Sequence, residues 1–246
     1  MTAVPDAGAR LADLSTNLGK VEERIRSACL AAGRSRAAVQ LIVVTKFFPG
    51  KDVEMLRLLG VTDIGENRDQ EASAKIAALS PEVRQALHVH FIGQLQTNKV
   101  RSVVAYADTV HSIDRDKLVI ALDEASTAAG RDIGVLIQVS LARSRAPGAG
   151  AARGGVSLDG VGALAKMVAA APHLRLRGVM GVAPQGVDPG EAFVRLAICA
   201  RDLQVDHPGA TWISAGMSGD LESAVANGAT HLRVGSAILG SRPPFG

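Results

Sequence analysis

Aromatic side chains are nearly missing from this chain. Among its 246 residues there are one Trp, one Tyr and five Phe. A large core must then be built from Val, Leu, Ile and Ala, and hydrophobic residues do make up 47% of the chain. Surfaces that hold nucleic acid usually combine aromatic rings with clustered basic residues. No run of five basic residues occurs here and the formal charge is only +3, so nucleic acid is not an expected partner. Cysteine is scarce too. Cys29 and Cys199 stand far apart in apolar, helix-like patterns, outside any Cys-x-x-Cys or Cys/His cluster. This excludes a disulfide framework and the usual zinc motifs, and it leads us to expect reduced, buried thiols and a cytoplasmic location. Long apolar runs are also absent. No stretch approaches the ~20 residues of a membrane span. The N-terminus, "MTAVPDAGARLADLSTNLGK", has no basic segment followed by an apolar block, so no signal peptide is expected.

What the chain does have is alternation. A helical pattern over 10–32 is closed by Gly33. Eight apolar, β-branched segments then follow: "VQLIVVTK" (39–46), "VTDIGEN" (61–67), "LHVHFIG" (87–93), "DTVHSID" (108–114), "IGVLIQVS" (133–140), "LRLRGVMGV" (174–182), "ATWISAG" (210–216) and "THLRVGSAIL" (230–239). Helical patterns separate them, at 51–60, 69–79, 97–106, 115–130, 157–171, 189–203 and 218–228. One stretch is looser: "LARSRAPGAGAARGG" (141–155) has the composition of a mobile loop. Strict alternation of strand and helix calls for a parallel sheet. Eight strands suggest closure into a (β/α)8 TIM-type barrel with an extra N-terminal helix, a single domain spanning 1–246. An open, doubly wound sheet is the alternative.

Barrels of this kind carry their sites at the C-terminal ends of the strands. The first strand ends on Lys46, directly after Leu41–Val44 and Thr45. An unpaired buried ammonium is costly, so such a lysine shifts its pKa or finds a partner. A neutral amine there attacks carbonyls to form a Schiff base; a salt bridge from Lys46 to Glu66 across the rim explains the placement equally well. The ends of strands seven and eight carry "SAGMSGD" (214–220) and "RVGSAILG" (233–240). Glycines beside serines at helix starts suit a phosphate, although capping explains any single Ser-Gly pair. A carbonyl-reactive lysine and a phosphate cradle together point to pyridoxal 5′-phosphate (PLP), or to a phosphorylated sugar held as in a class I aldolase.

These residues carry a resemblance. "VVTKFFP", "IGENRDQEASAK" (64–75), "HFIGQLQTNKVR" (90–101), "VHSIDR" (110–115), "LRGVMGVAP" (176–184) and "ISAGMSGDLESAVANGATHLRVGSAILGSR" (213–242) stand in one order, and together they resemble the YggS/PROSC group of PLP homeostasis proteins over nearly the whole chain. The resemblance implies a PLP-binding barrel like the N-terminal domain of alanine racemase. It makes Lys46 the Schiff-base lysine and puts Asn67 beside the cofactor ring. Ser214, Met217, Ser218, Gly235 and Ser236 would hold the phosphate, and Arg233 would face the pyridine nitrogen. His90 and Asn98 fall in a motif near the mouth. Val89 stands where the family usually has Trp, Ala215 where Met is common and Gly219 where Asp is common. None of these departures removes a residue the cofactor needs.

A guanidinium beside the ring nitrogen disfavours protonation there, because like charges repel. The ring is then a weak electron sink. Racemases of related fold add a tyrosine base from a second β domain. This chain ends soon after the eighth strand, and its only tyrosine, Tyr106, is expected at the opposite barrel face. The reading is therefore a PLP carrier or regulator with little turnover, no residue assigned as catalytic and no metal. An amino-acid racemase and an aldolase-like lyase without PLP remain alternatives, and the 141–155 loop offers a surface for contacting PLP-dependent apo-enzymes. A monomer is expected.

Overall fold

The eighth strand pairs back onto the first. A computed structural model describes residues 7–142 and 154–241. In it β1 (Gln40–Val44), β2 (Asp63–Glu66), β3 (His88–Phe91), β4 (Thr109–Ile113), β5 (Ile133–Val139), β6 (Leu174–Gly181), β7 (Trp212–Ser214) and β8 (His231–Val234) form one closed parallel barrel. The closing pairs run from Gln40–His231 to Val43–Val234. This is the expected (β/α)8 barrel, and closure rules out the open sheet.

Helices fill the crossovers. α1 (Ala7–Ala31) precedes the barrel. It is followed by α2 (Gly50–Leu58), α3 (Asp69–Ala77), a short α4 (Pro81–Gln85), α5 (Val100–Tyr106), α6 (Asp116–Ala129), α7 (Val161–Ala170), α8 (Pro189–Asp206), α9 (Leu221–Ala226) and α10 (Ser236–Leu239). Their stripes follow the helical period. On α8 the buried set is Ala192, Phe193, Leu196, Cys199, Ala200 and Leu203. Glycine ends several helices so that the chain can enter the next strand. Gly60 and Gly130 both take positive φ, 88° and 61°. The residue after each, Val61 or Arg131, donates its N–H five positions back, to Leu56 and Ser126.

Two element readings need correction. Residues 235–239 do not continue β8; the chain breaks at Gly235 and turns into α10. A short apolar run has no periodicity of its own, so strand and buried helix look alike in it. α4 was also missed: it has only five residues, started by the Ser80 hydroxyl, which accepts from Val83 N–H, and by Pro81 at its first position. Most of the 141–155 loop lies outside the described residues.

Strand alternation sorts side chains onto two surfaces. Outward-facing Leu41, Val43, Ile64, Val89, Phe91, Val135, Ile137, Val179, Leu232 and Val234 join the helices in one apolar shell. The inward set differs. Ile42, Val44, Leu136 and Met180 are buried outside that shell, and around them lie buried His90, His111, Ser214, His231 and Arg233. Barrel interiors are ordinarily filled by branched apolar residues. This one is largely polar. Both cysteines are free and buried, and burial pushes the Cys199 thiol up to about 11. Among the described residues no helix is long and apolar enough to cross a membrane.

Candidate functional site

Lys46 sits at the second position of a tight turn at the top of β1. The turn is closed by Phe48 N–H donating to Thr45 O at 3.1 Å. Its third position, Phe47, has φ 71°, the one positive value at a non-glycine among the described residues. A turn of that shape normally takes glycine there, and a bulky side chain costs on the order of 1 kcal/mol or more. Neighbours hold the strain. Glu71 Oε1 accepts the Phe47 N–H at 2.5 Å, and Lys75 Nζ donates to Thr45 O at 2.8 Å. Lys46 continues the inward parity of Ile42 and Val44, so it faces the barrel mouth. It is half-buried, and its Nζ lies 5.8 Å from the centre of the Phe47 ring.

Glu66 does not reach Lys46. Its parity is outward, and its carboxylate meets Lys75 of α3 at 2.8 Å and the Thr45 hydroxyl at 2.6 Å. Glu66 is 0% exposed and Lys75 8%. Lys75 uses its three N–H groups on Glu66, Glu71 and Thr45 O, the full set an ammonium can make. Among the described residues Glu66 Oε2 has no partner, and burial pushes the Glu66 pKa above the usual carboxylate range despite Lys75. This buried cluster clamps the Lys46 turn from behind.

Asn67 follows β2 with inward parity and is half-buried. The loop after β3 crosses it so closely that a Cβ on Gly93 would fall 2.2 Å from Asn67 O. Beyond lies a cleft of about 470 Å³ lined by Asn67, Arg68, Gln94, Gln96, Lys99 and Arg115. A larger groove of about 640 Å³ lies between α1 and α9.

The other half of the arc is β8, which pairs with β1, and β7 beyond it. The chain leaves Ser214 through Gly216, with φ 92°, and its next N–H, from Met217, is capped by Asp220 Oδ1 at 2.6 Å. Met217 and Ser218 are half-buried beside this turn. Gly235 lies against β1, where a Cβ would sit 3.0 Å from Val44 O. Ser236 opens α10, whose first N–H groups have no acceptor inside the helix. α1 braces both loops: Arg24 donates to Ser218 O, Arg10 to Leu239 O and Asn17 to Ile238 O. Nothing local in the sequence marks Arg10, Asn17, Arg24 or Lys75 as support for a site; each acts across a sequence gap that only the fold closes.

Arg233 is an inward residue of β8, 5% exposed. It donates to Ser214 Oγ at 2.6 Å and to Gly181 O at 2.9 Å. Among the described residues no carboxylate pairs with it. Burial pulls its pKa down to about 10, with Asp220 opposing from a distance. Ser214, expected at a phosphate, is instead fully buried beneath the 216–220 loop, between Arg233 and His111 Nδ1, which is 3.0 Å away. His90 lies deeper in the lumen, and Asn98 is exposed in the 97–99 turn. Tyr106 is buried in the helical shell with its hydroxyl toward Asp69 Oδ1 at 3.4 Å, and burial pushes that phenol up.

This arc suits PLP. A buried guanidinium with no carboxylate partner among the described residues, a lysine on the adjacent strand end and glycine-bearing turns after β7 and β8 match an acidic ligand that carries a carbonyl. The comparisons agree. The model of the family "Alanine racemase, N-terminal domain" matches residues 16–243. A "Pyridoxal phosphate homeostasis protein" of Mycobacterium leprae is 41% identical over 248 residues, covering 95% of this chain and 94% of that one. The structure of PipY from Synechococcus elongatus PCC7942 with PLP bound superposes with a TM-score of 0.77 at 31% identity, over 92% of this chain and 100% of that one. Alanine racemase from Corynebacterium glutamicum is similar in fold, at a TM-score of 0.68 and 15% identity, over 96% of this chain and 63% of that one.

Proposed function

The chain belongs to the alanine racemase N-terminal domain family, among its pyridoxal phosphate homeostasis proteins, and on that premise we propose that it binds PLP and stores, delivers or regulates it inside the cell. The observation that carries this reading is Arg233, buried one strand away from Lys46 with no carboxylate partner among the described residues. PLP, when bound, supplies an aldehyde that condenses with amines and a ring that draws electrons from them.

The residues divide the work. Lys46 supplies the amine that captures the aldehyde, and its strained turn keeps that amine at the mouth. Asn67 borders the ring from β2. Ser218, Gly235 and Ser236 would hold the phosphate through hydroxyls and backbone N–H groups, with Met217, whose own N–H goes to Asp220, beside them. Ser214 serves from beneath, by holding Arg233. Arg233 would meet the ring nitrogen with its remaining donors and disfavour a proton there, which would weaken the ring as an electron sink. Tyr106, with its hydroxyl turned to Asp69, is not positioned as a second base. Storage and delivery with little turnover follow, and an amino-acid racemase is the competing reading.

The test is the visible spectrum of the purified protein beside Lys46→Ala, then borohydride reduction and peptide mapping. A yellow wild type with pyridoxyl mass on the Lys46 peptide, a variant without it, and no racemisation of amino acids are expected. A colourless protein that ignores added PLP defeats the binding reading. Rapid racemisation defeats the carrier reading alone.

A further inference from the structure

The lumen beneath Arg233 holds one continuous chain of hydrogen bonds, of which the proposed site uses only the last. It starts at Asp63 on the first residue of β2, where the carboxylate is partly open to solvent. Asp63 Oδ1 lies 2.9 Å from His90 Nε2, His90 Nδ1 2.9 Å from His111 Nε2, and His111 Nδ1 3.0 Å from Ser214 Oγ. Ser214 Oγ then accepts from Arg233 at 2.6 Å. Five side chains from β2, β3, β4, β7 and β8 thus cross the barrel. His90, His111 and Ser214 are each 0% exposed.

With neutral rings between them, the two ends dictate the direction of every bond. An ionised carboxylate only accepts and a guanidinium only donates. Asp63 is held ionised: although burial opposes it, bonds from His90 and Thr62 bring its pKa below the usual range. If both rings are neutral, His90 carries its proton on Nε2, leaving Nδ1 to accept. His111 must carry its proton on Nε2 as well, so its Nδ1 accepts the Ser214 hydroxyl hydrogen. Burial holds His111 well below the usual imidazole range. With its hydrogen committed to His111, Ser214 Oγ offers only lone pairs, and Arg233 takes one. No other assignment with neutral rings satisfies all four contacts. The chain is not a proton wire, because it ends on a guanidinium that does not release its proton.

We propose that Asp63, His90, His111 and Ser214 are positioning residues: a polarised relay that fixes the Arg233 guanidinium so that its remaining donors meet the ring nitrogen of bound PLP. The role toward PLP rests on the reading above; the polarity of the relay does not. Removing the acceptor at His111 frees the Ser214 hydroxyl to rotate and to compete with Arg233 for partners. Gln at this position carries one acceptor and one donor at imidazole-like spacing and restores both bonds.

The first measurement is a long-range ¹⁵N–¹H imidazole spectrum of the protein without PLP. Both His90 and His111 are expected as Nε2–H tautomers. A proton on Nδ1 of His111 reverses the relay and overturns the proposal. The second is a spectral titration with PLP. His111→Phe is expected to weaken binding about tenfold and to shift the visible band, while His111→Gln stays within about threefold of wild type with the band in place. Ser214→Ala, a smaller change, is expected to shift the band in the same direction and serves if His111→Phe does not fold. Unchanged affinity and band in both His111→Phe and Ser214→Ala refute a positioning role. If the wild type takes up no PLP, the function fails, while the tautomers still report on the relay.

Discussion

The lumen of this barrel and the shell around it are made by the same eight strands, yet they are built from different chemistry. The shell is Leu, Val, Ile, Ala and Phe, packed against α1 to α10. The lumen holds His88, His90, His111, Trp212, Ser214, His231 and Arg233, joined by hydrogen bonds and ring contacts such as Trp212 on His231 at 4.0 Å between centroids. Successive residues on each strand belong to opposite regions. The comparison teaches that stability and ligand chemistry can be written in alternate letters of one segment. The shell gains from area removed from water. The lumen gives up some of that gain to direct donors and acceptors at one point near the mouth.

Each region can be broken separately. In the shell, Phe193 is 2% exposed beneath α8, and Phe193→Ala should cost about 3–5 kcal/mol in denaturant unfolding while leaving the PLP band unshifted in whatever protein remains folded. A shifted band would mean that shell and lumen are coupled more tightly than the strand alternation implies.

The polar exception in the shell gives the next effect. Lys75→Met leaves Glu66 buried beside Thr45 without its cation, at a cost of about 3 kcal/mol. It should also loosen the Lys46 turn, read as slower PLP capture. Adding Glu66→Gln to it should recover part of the stability. No recovery in the double variant would show that Lys75 acts through Thr45 O alone.

Acid separates the regions by charge. Burial lowers His111 strongly and His231 to about 3, below the usual imidazole value of 6.5. The unfolded chain therefore takes up protons near pH 6.5 that the folded lumen refuses. Stability is intact above that pH and falls as pH drops toward the folded values, by about 1.4 kcal/mol per pH unit for each such histidine. Unfolding midpoints between pH 7 and 4.5 would measure it, and a flat profile would refute a neutral lumen. The smallest expected change is Arg24→Ala. Its ion pair with Glu222 lies on the surface, so unfolding should shift by under about 1 kcal/mol, but loss of the bond to Ser218 O should weaken PLP retention measurably.

Much of the fold was readable because strand and helix differ in period and glycines mark the joints. Lys46 was readable because a charge at the end of an apolar strand has few explanations. Residues 235–239 were misread because nothing in "GSAIL" distinguishes strand from buried helix. Nothing local marked Lys75, since its burial depends on Glu66 of β2 and the Thr45 carbonyl after β1 coming to it. Ser214 stood in a serine-glycine run that suits a phosphate loop, and its inward turn toward Arg233 depends on where β7 ends.

The amino-acid sequence by itself determined the alternation, the eight strands and the lysine at the end of the first, because these follow from local periodicity and from the cost of burying a charge. Only the tertiary structure decided that Glu66 belongs to Lys75, that α1 braces both turns, and that Asp63, His90, His111, Ser214 and Arg233 form one line. Those partners lie up to 103 residues apart in consecutive bonds. A hydrogen bond depends on distance and direction in space, and barrel closure is what brings those positions within reach.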